Sequence, residues 1–238
     1  MKLSIIIPVF NEEKTISDVL KKINDVNLPG IEKEILVIDD GSTDATASVI
    51  QSAKLKIKSL KVFKHNKNLG KGAAVRTGIK HVIGNYILIQ DADLEYNPKD
   101  IERLLDPIKN GDGEIVYGTR LARLPNLQRN ERTFRFLLHY LGNRFLSLLT
   151  SLLYGQWITD METGYKLFSK KAVDKIDLHS RSFDFEPEIT AKLLKKGYSI
   201  IEIPINTNPR GYDQGKKLNT VKDGIRALWT LLKYRFTD

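Results

Sequence analysis

Two short apolar runs, each ending in a pair of carboxylates, constrain this chain more than any other feature. They are Ile35-Leu36-Val37-Ile38-Asp39-Asp40-Gly41-Ser42 and Tyr86-Ile87-Leu88-Ile89-Gln90-Asp91-Ala92-Asp93. A continuous β-branched run of this length reads as a strand buried on both faces, the situation of a parallel sheet covered by helices. Ligands of open α/β sheets bind beyond the carboxyl ends of such strands, so both clusters point at one crevice. The i, i+2 spacing of Asp91 and Asp93 can turn both carboxylates to one side, which suits a hard divalent cation that also holds phosphate oxygens.

The alternation of strand-like runs and helical periodicity continues along the chain. Strands are predicted over 3–9, 34–39, 60–64, 86–90, 114–118 and 199–205. Helices are predicted over 12–25, 43–53, 71–82, 99–109, 130–153 with a break at Gly142, 183–196 and 220–235. Ser42 or Thr43 is expected to cap the second helix. No Gly/Ser/Pro linker divides the 238 residues, so one domain is expected.

Composition narrows the chemistry. With no cysteine, disulfides, thiolate catalysis and Cys-ligated zinc are excluded, and the four scattered histidines add no zinc pattern. A net charge of +9 implies polyanionic partners: nucleic acid, an anionic membrane face or phosphorylated substrates. The apolar opening Met1 to Pro8 is too short for a signal peptide, and no window offers the roughly 20 apolar residues of a membrane span. Asn68-Leu69-Gly70-Lys71-Gly72 places glycines and a cation before a helix, where backbone N–H groups can face a phosphate, or it is a plain turn. It is not a Walker motif, and no dinucleotide-binding glycine triplet follows the first strand. No helix-turn-helix or RNA-binding signature supports a nucleic-acid partner.

Taken together, Pro8-Val9-Phe10-Asn11-Glu12-Glu13, Asp39 to Asp44, Asn68 to Gly72 and Asp91-Ala92-Asp93 resemble, in order and spacing, the family 2 glycosyltransferases. Asp160-Met161-Glu162-Thr163-Gly164-Tyr165-Lys166-Leu167-Phe168 and the Arg210 to Lys217 segment narrow the resemblance to polyprenyl-phosphate glycosyltransferases, the dolichyl-phosphate mannose and glucose synthases. The resemblance implies an α/β, GT-A (Rossmann-like) fold: a mostly parallel sheet flanked by helices in a single domain, 1–238. Residues 1–120 would form the nucleotide-sugar and metal half, and 121–238 the acceptor half with amphipathic helices.

The same resemblance assigns roles. Asp91 and Asp93 would hold Mg²⁺ or Mn²⁺, with Glu95 at the position of a third ligand. Pro8, Phe10, Glu12, Ile38 and Asp40 map onto the base and ribose pocket, Phe10 standing where a Tyr is frequent. Ala92 and Lys71 join the donor site, and Arg120, Arg210 and Lys216 match the cations of the diphosphate and acceptor phosphate. Gly211 and Gly215 are expected to hinge a loop that closes over bound nucleotide. Asp160 or Glu162 would be the general base of a generic glycosyltransferase. A lipid phosphate is already anionic and needs none, so Asp160 is expected to orient an arginine or sugar groups instead.

The resemblance thus implies metal-dependent, inverting transfer of a hexosyl group from a nucleotide sugar to polyprenyl or dolichyl phosphate. UDP-glucose is narrowly preferred, because Lys71 to Arg76 and Gly164 to Phe168 resemble the glucosyl branch, while Phe185-Glu186-Pro187-Glu188 departs from the Phe-Gln-x-Glu type common in mannosyl relatives and puts GDP-mannose in doubt. The apolar segment from Phe134 to Leu153, with Arg132, Arg135 and Arg144, reads in three ways. It is a pair of core helices, a surface joined by the terminal helix that meets an anionic membrane, or a homodimer interface. The lipid reading places the protein peripherally on the cytoplasmic face of a membrane. The competing activities are transfer to a saccharide or protein hydroxyl and formation of a sugar nucleotide.

Overall fold

Residues 1–121, 134–208 and 220–237 are described by a computed structural model, apart from the side chains of residues 134, 135 and 220. The first half follows the predicted alternation: β1 (Lys2–Val9), α1 (Ile16–Asp25), β2 (Glu32–Asp39), α2 (Thr46–Lys54), β3 (Leu60–Lys64), α3 (Lys71–His81) and β4 (Tyr86–Ile89). After a short 3₁₀ turn come α4 (Ile101–Asn110), β5 (Ile115–Thr119), α5 (Phe134–Tyr154), β6 (Lys166–Ser169), α6 (Lys170–Val173), α7 (Phe185–Lys195), β7 (Ile200–Pro204) and α8 (Thr220–Phe236).

All seven strands form one sheet in the order β3-β2-β1-β4-β6-β5-β7. β6 runs antiparallel to both β4 and β5, and the other pairings are parallel. The period of 2 along the strands divides the core between the two faces of the sheet. Ile5 and Ile7 pack with Ile35 and Val37 on one side, and Ile6 packs with Leu36, Ile38, Ile87 and Ile89 on the other. Each such side chain contributes roughly 1.5–3 kcal/mol of burial. Val9 pairs with Asp39 and Asp39 with Lys64, so the carboxyl ends of β1, β2 and β3 finish level.

Two expectations about local structure are corrected. α2 begins at Thr46, and neither Ser42 nor Thr43 caps it. Ser42 Oγ instead accepts from Asn11 N (3.0 Å), while Asn11 Oδ1 accepts from Thr43 N (2.8 Å) and Thr46 Oγ1 from Glu12 N (2.8 Å). The loops after β1 and β2 thereby brace each other at the mouth of the sheet. α5 is continuous through Gly142, where an added Cβ would meet open space, so this glycine costs only about 1 kcal/mol of helix propensity.

α5 is apolar on both sides, with Leu146, Leu149 and Leu153 turned to the core and polar residues interspersed among them. Asn143, Leu146, Ser147 and Thr150 are buried, whereas Leu138, Leu141, Phe145, Leu148 and Leu152 are exposed. The interspersed polar residues have a use: Ser147 Oγ accepts from Met161 N (3.0 Å) and Ser151 Oγ from Ile158 N (2.9 Å), anchoring the segment before β6.

Candidate active site

A cleft of about 370 Å³ opens where β1, β2 and β4 end. Its wall contains Pro8, Phe10, Glu12, Asp40, Lys71, Asp91, Ala92, Asp93, Glu95 and Arg120, so most of the residues singled out in the sequence meet in one place. Ile38 does not join them. The alternation of β2 turns its side chain into the core beside Leu36, where it is fully buried. Arg210, Lys216, Gly211, Gly215 and Arg132 lie outside the described residues.

Asp40 is held by the protein itself. Oδ1 accepts from His65 Nδ1 (2.7 Å) and Leu69 N (2.9 Å), and Oδ2 from Gly70 N (2.8 Å). Of the two readings of Asn68 to Gly72, a phosphate cradle or a plain turn, the second holds for the backbone N–H groups of Leu69 and Gly70, which face this carboxylate. The consequence is a fixed turn into α3. Gly70 stands at φ +97°, and an added Cβ would overlap the carbonyl oxygen of Arg181, so only glycine fits there. Lys71 is the first residue of α3 and leaves this turn aimed into the cleft.

Lys71 Nζ bridges two carboxylates, Asp91 Oδ1 and Glu186 Oε1, each at 2.8 Å. Burial works against its charge, but Asp91 and then Glu186 override it and hold the ammonium well above its ordinary range. Gly164 is pressed against this pair: a Cβ there would overlap Asp91 Oδ2 and come within 3.1 Å of Lys71 Nζ. Gly164 N donates to Tyr96 Oη (2.8 Å), and the Tyr96 ring stacks on Tyr165 at 5.0 Å.

Asp93 Oδ1 accepts from Glu95 N (3.1 Å). Among the described residues, no three His, Cys, Asp or Glu side chains converge closely enough to hold a metal, so Asp91, Asp93 and Glu95 do not form a preformed cage. The donor set still fits a hard cation. Two carboxylates on one cleft wall can hold Mg²⁺ or Mn²⁺ when diphosphate and water oxygens complete the shell.

Arg120 grips Asp160 through three hydrogen bonds: backbone N to Oδ2 (2.9 Å), Nε to Oδ2 (2.8 Å) and Nη2 to Oδ1 (2.8 Å). Asp160 is 0 % exposed and does not itself line the cleft. Burial raises its pKa, but the Arg120 guanidinium outweighs this and holds the carboxyl below its ordinary value. Both oxygens are engaged, so the carboxylate fixes the direction of the Arg120 guanidinium. The turn carrying Asp160 is fixed by Glu202, which accepts from Thr159 N (2.7 Å) and Asp160 N (2.9 Å).

Beneath this turn Lys166 is fully buried, its Nζ donating to the Met161 carbonyl (2.8 Å) and lying 3.5 Å from the centre of the Tyr117 ring. Burial pulls its pKa down to about 7, against the pull of Glu186, Asp160 and Glu162. Glu162 does line the cleft, and burial, followed by the Glu186 carboxylate, pushes its pKa up to about 8.

Sequence reasoning missed Tyr96, His139 and the siting of Glu186, all in the cleft wall. Glu186 carried a signal, as an acidic residue in the first turn of a helix and in a motif already marked as divergent. His139 carried none, since nothing local shows which face of α5 meets the cleft.

Residues 4–177 match the model of glycosyl transferase family 2. The chain is 30% identical over 247 residues to UDP-N-acetylglucosamine–dolichyl-phosphate N-acetylglucosaminyltransferase of Methanococcus voltae, covering 96% of this chain and 94% of that protein. It is 30% identical over 240 residues to dolichol-phosphate mannosyltransferase of Pyrococcus furiosus, covering 98% of this chain and 64% of that protein. Glucosyl-3-phosphoglycerate synthase of Mycobacterium tuberculosis superposes with a TM-score of 0.76 at 19% identity, covering 100% of this chain and 82% of that one. Its complex with Mn²⁺, UDP-glucose and phosphoglyceric acid gives 0.72 at 18%, covering 98% and 79%. At such identity the structural likeness is one of fold, whereas the family match spans most of the sequence: the chain belongs to glycosyltransferase family 2 and carries its GT-A fold.

Proposed function

We propose that this glycosyltransferase moves a hexosyl group from a nucleotide sugar to a polyprenyl phosphate, with inversion and with Mg²⁺ or Mn²⁺. The observation that carries the reading is the Arg120–Asp160 pair. The residue in the position of a catalytic base is locked to an arginine, so the acceptor side offers a cation in place of a base. A phosphate acceptor matches this, because its oxygen is already anionic and needs only to be positioned. That oxygen attacks the anomeric carbon in one displacement as the bond to the nucleoside diphosphate breaks. Lys71, braced by Asp91 and Glu186, supplies fixed positive charge beside the reacting sugar. A divalent cation held by Asp91 and Asp93 would act as a Lewis acid on the leaving diphosphate.

The outer stripe of α5 supports a lipid acceptor. Leu138, Leu141, Phe145, Leu148 and Leu152 recur at helical spacing on its exposed side, and Ile225 and Trp229 are exposed on α8, which packs against it. Such a surface suits the interfacial region of a bilayer. Among the described residues no helix is long and apolar enough to cross a membrane. Arg144 is not a free headgroup ligand, since it donates to the Leu121 carbonyl (2.6 Å) and to Tyr140 Oη (3.2 Å). The relatives use different sugars; UDP-glucose is the donor we propose, on the departure at Glu186.

The test supplies purified protein with polyprenyl phosphate in detergent, Mg²⁺ or Mn²⁺, and labelled UDP-glucose, UDP-N-acetylglucosamine or GDP-mannose. Metal-dependent label in the organic extract, lost in Asp93→Ala, supports the reading and names the sugar. Metal-dependent UDP binding without extractable label from any donor removes the lipid acceptor.

A further inference from the structure

Glu162 presents a problem of charge. Its Oε1 is buried in the cleft wall without a hydrogen-bond partner among the described residues. The cations that act on it are already engaged: Arg120 by both oxygens of Asp160, and Lys166 by the Met161 carbonyl and the Tyr117 ring. Lys71, in the same cleft, is held between Asp91 and Glu186. Asp160, on the same turn, and Glu186, from α7, add negative charge around it. Glu186 is 4% exposed and has its own buried oxygen, Oε2, without a partner. An ionised Glu162 would be one more buried negative charge with no cation of its own among the described residues, an arrangement proteins avoid by keeping the group neutral.

A neutral carboxyl changes what the site can recognise, because it has a proton to donate. Glu162 stands two residues after Asp160, so one rigid turn carries both the acid and the carboxylate that aims Arg120. The Arg120 guanidinium aimed by this turn and a neutral donor carried on it make a clamp for a phosphate oxygen, which accepts more strongly than a sugar hydroxyl. We propose that Glu162 works as a neutral carboxylic acid that donates a hydrogen bond to the acceptor's phosphate, and that its ionisation expels the acceptor. The inference rests on the lipid-phosphate reading above. Burial and the Glu186 charge, which push its pKa up to about 8, place the change just above neutrality.

The test measures binding of a short-chain prenyl phosphate in detergent, by calorimetry from pH 6.5 to 9.5, to wild type and Glu162→Gln. UDP with Mn²⁺ is measured in parallel to report on the donor side. A phosphate monoester has its second pKa near 6, so the probe keeps one charge state above neutrality. In wild type the affinity for the prenyl phosphate should fall about tenfold for each pH unit above the Glu162 midpoint. Glu162→Gln, which keeps an N–H donor and cannot ionise, should bind with a flat profile, and UDP affinity should be the same in both proteins. A flat wild-type profile, or a parallel fall in the variant, overturns the inference and leaves the lipid acceptor standing. A fall in UDP affinity in its place assigns the hydrogen bond to the donor's phosphate and overturns it too. Failure of both proteins to bind the probe at any pH removes the inference and the lipid-phosphate reading together, whereas loss of binding in a folded Glu162→Gln alone overturns the inference and leaves that reading standing. Should the variant not fold, the carboxyl-carbon NMR signal of wild-type Glu162 decides: the probe should raise its titration midpoint, and an unmoved or lowered midpoint refutes the proposal.

Discussion

Asp160→Asn separates a positioning carboxylate from a base. The replacement keeps the size of the side chain and removes its charge. In the native protein three Arg120 donors, at 2.8–2.9 Å, converge on a carboxylate with no exposure. The amide oxygen can accept from one side, but the amide NH₂ then faces a guanidinium that also only donates. Removing one partner of a buried, hydrogen-bonded ion pair costs about 3–5 kcal/mol. In a domain of this size that corresponds to a melting temperature lowered by about 10 °C. The decisive assay is a thermal and urea double-mutant cycle of Asp160→Asn, Arg120→Gln and the pair together, run beside donor-sugar turnover. A coupling energy of about 2 kcal/mol or more is expected, with turnover lost equally in each single variant. If Asp160 were instead a base, Asp160→Asn would abolish turnover while leaving melting close to wild type and the cycle additive, and that result would refute the reasoning. The pH dependence has a definite sign. Because Arg120 depresses the Asp160 pKa, this stabilisation is complete above the ordinary carboxylate range and is lost as pH falls below it.

Three further outcomes are expected. Gly164→Ala should cost about 1–3 kcal/mol of stability. It should also weaken metal-dependent UDP binding, because its methyl would displace Asp91 Oδ2; calorimetry with Mn²⁺ showing native affinity would sink this account. Leu141→Glu, Phe145→Glu and Leu152→Glu, at positions 62%, 56% and 74% exposed, should together leave stability nearly unchanged. Each deletes roughly 1.5–3 kcal/mol of apolar transfer, so co-sedimentation with vesicles should fall steeply, and a folded triple variant that still sediments refutes the lipid-facing stripe. Glu162, whose pKa is raised, binds a proton in the folded state that the unfolded chain has lost, so wild-type stability should decline from about pH 5 to 8. Glu162→Gln should lack that part of the decline, and identical stability–pH curves for the two proteins would show that Glu162 does not carry it.

The strands around the crevice were legible because their information is local. Ile5-Ile6-Ile7 and Ile35 to Ile38 need only their own β-branched runs to declare burial on both faces, and the β3 limits, Leu60–Lys64, agree with those expected. β6 escaped notice because it is four residues long, begins with a lysine and lies antiparallel between strands far away in sequence. Its Lys166 is buried only because Tyr117, Thr190 and the Met161 carbonyl surround the ammonium.

The sequence by itself determined the alternating architecture and the placing of Asp39-Asp40 and Asp91-Asp93 at one crevice, since residue pattern is a property of neighbours, while the family resemblance brought Lys71 and Arg120 to the same place. Tertiary structure alone decided which charges meet: Lys71 with Glu186, Arg120 with Asp160, Asp40 with the turn into α3, and Glu162 with its buried Oε1 unpartnered among the described residues. It also decided that α5 keeps an apolar stripe exposed. Charge pairing and exposure depend on what the rest of the chain brings within a few ångströms, and a carboxylate's role as ligand, orienting group or neutral acid follows from that company.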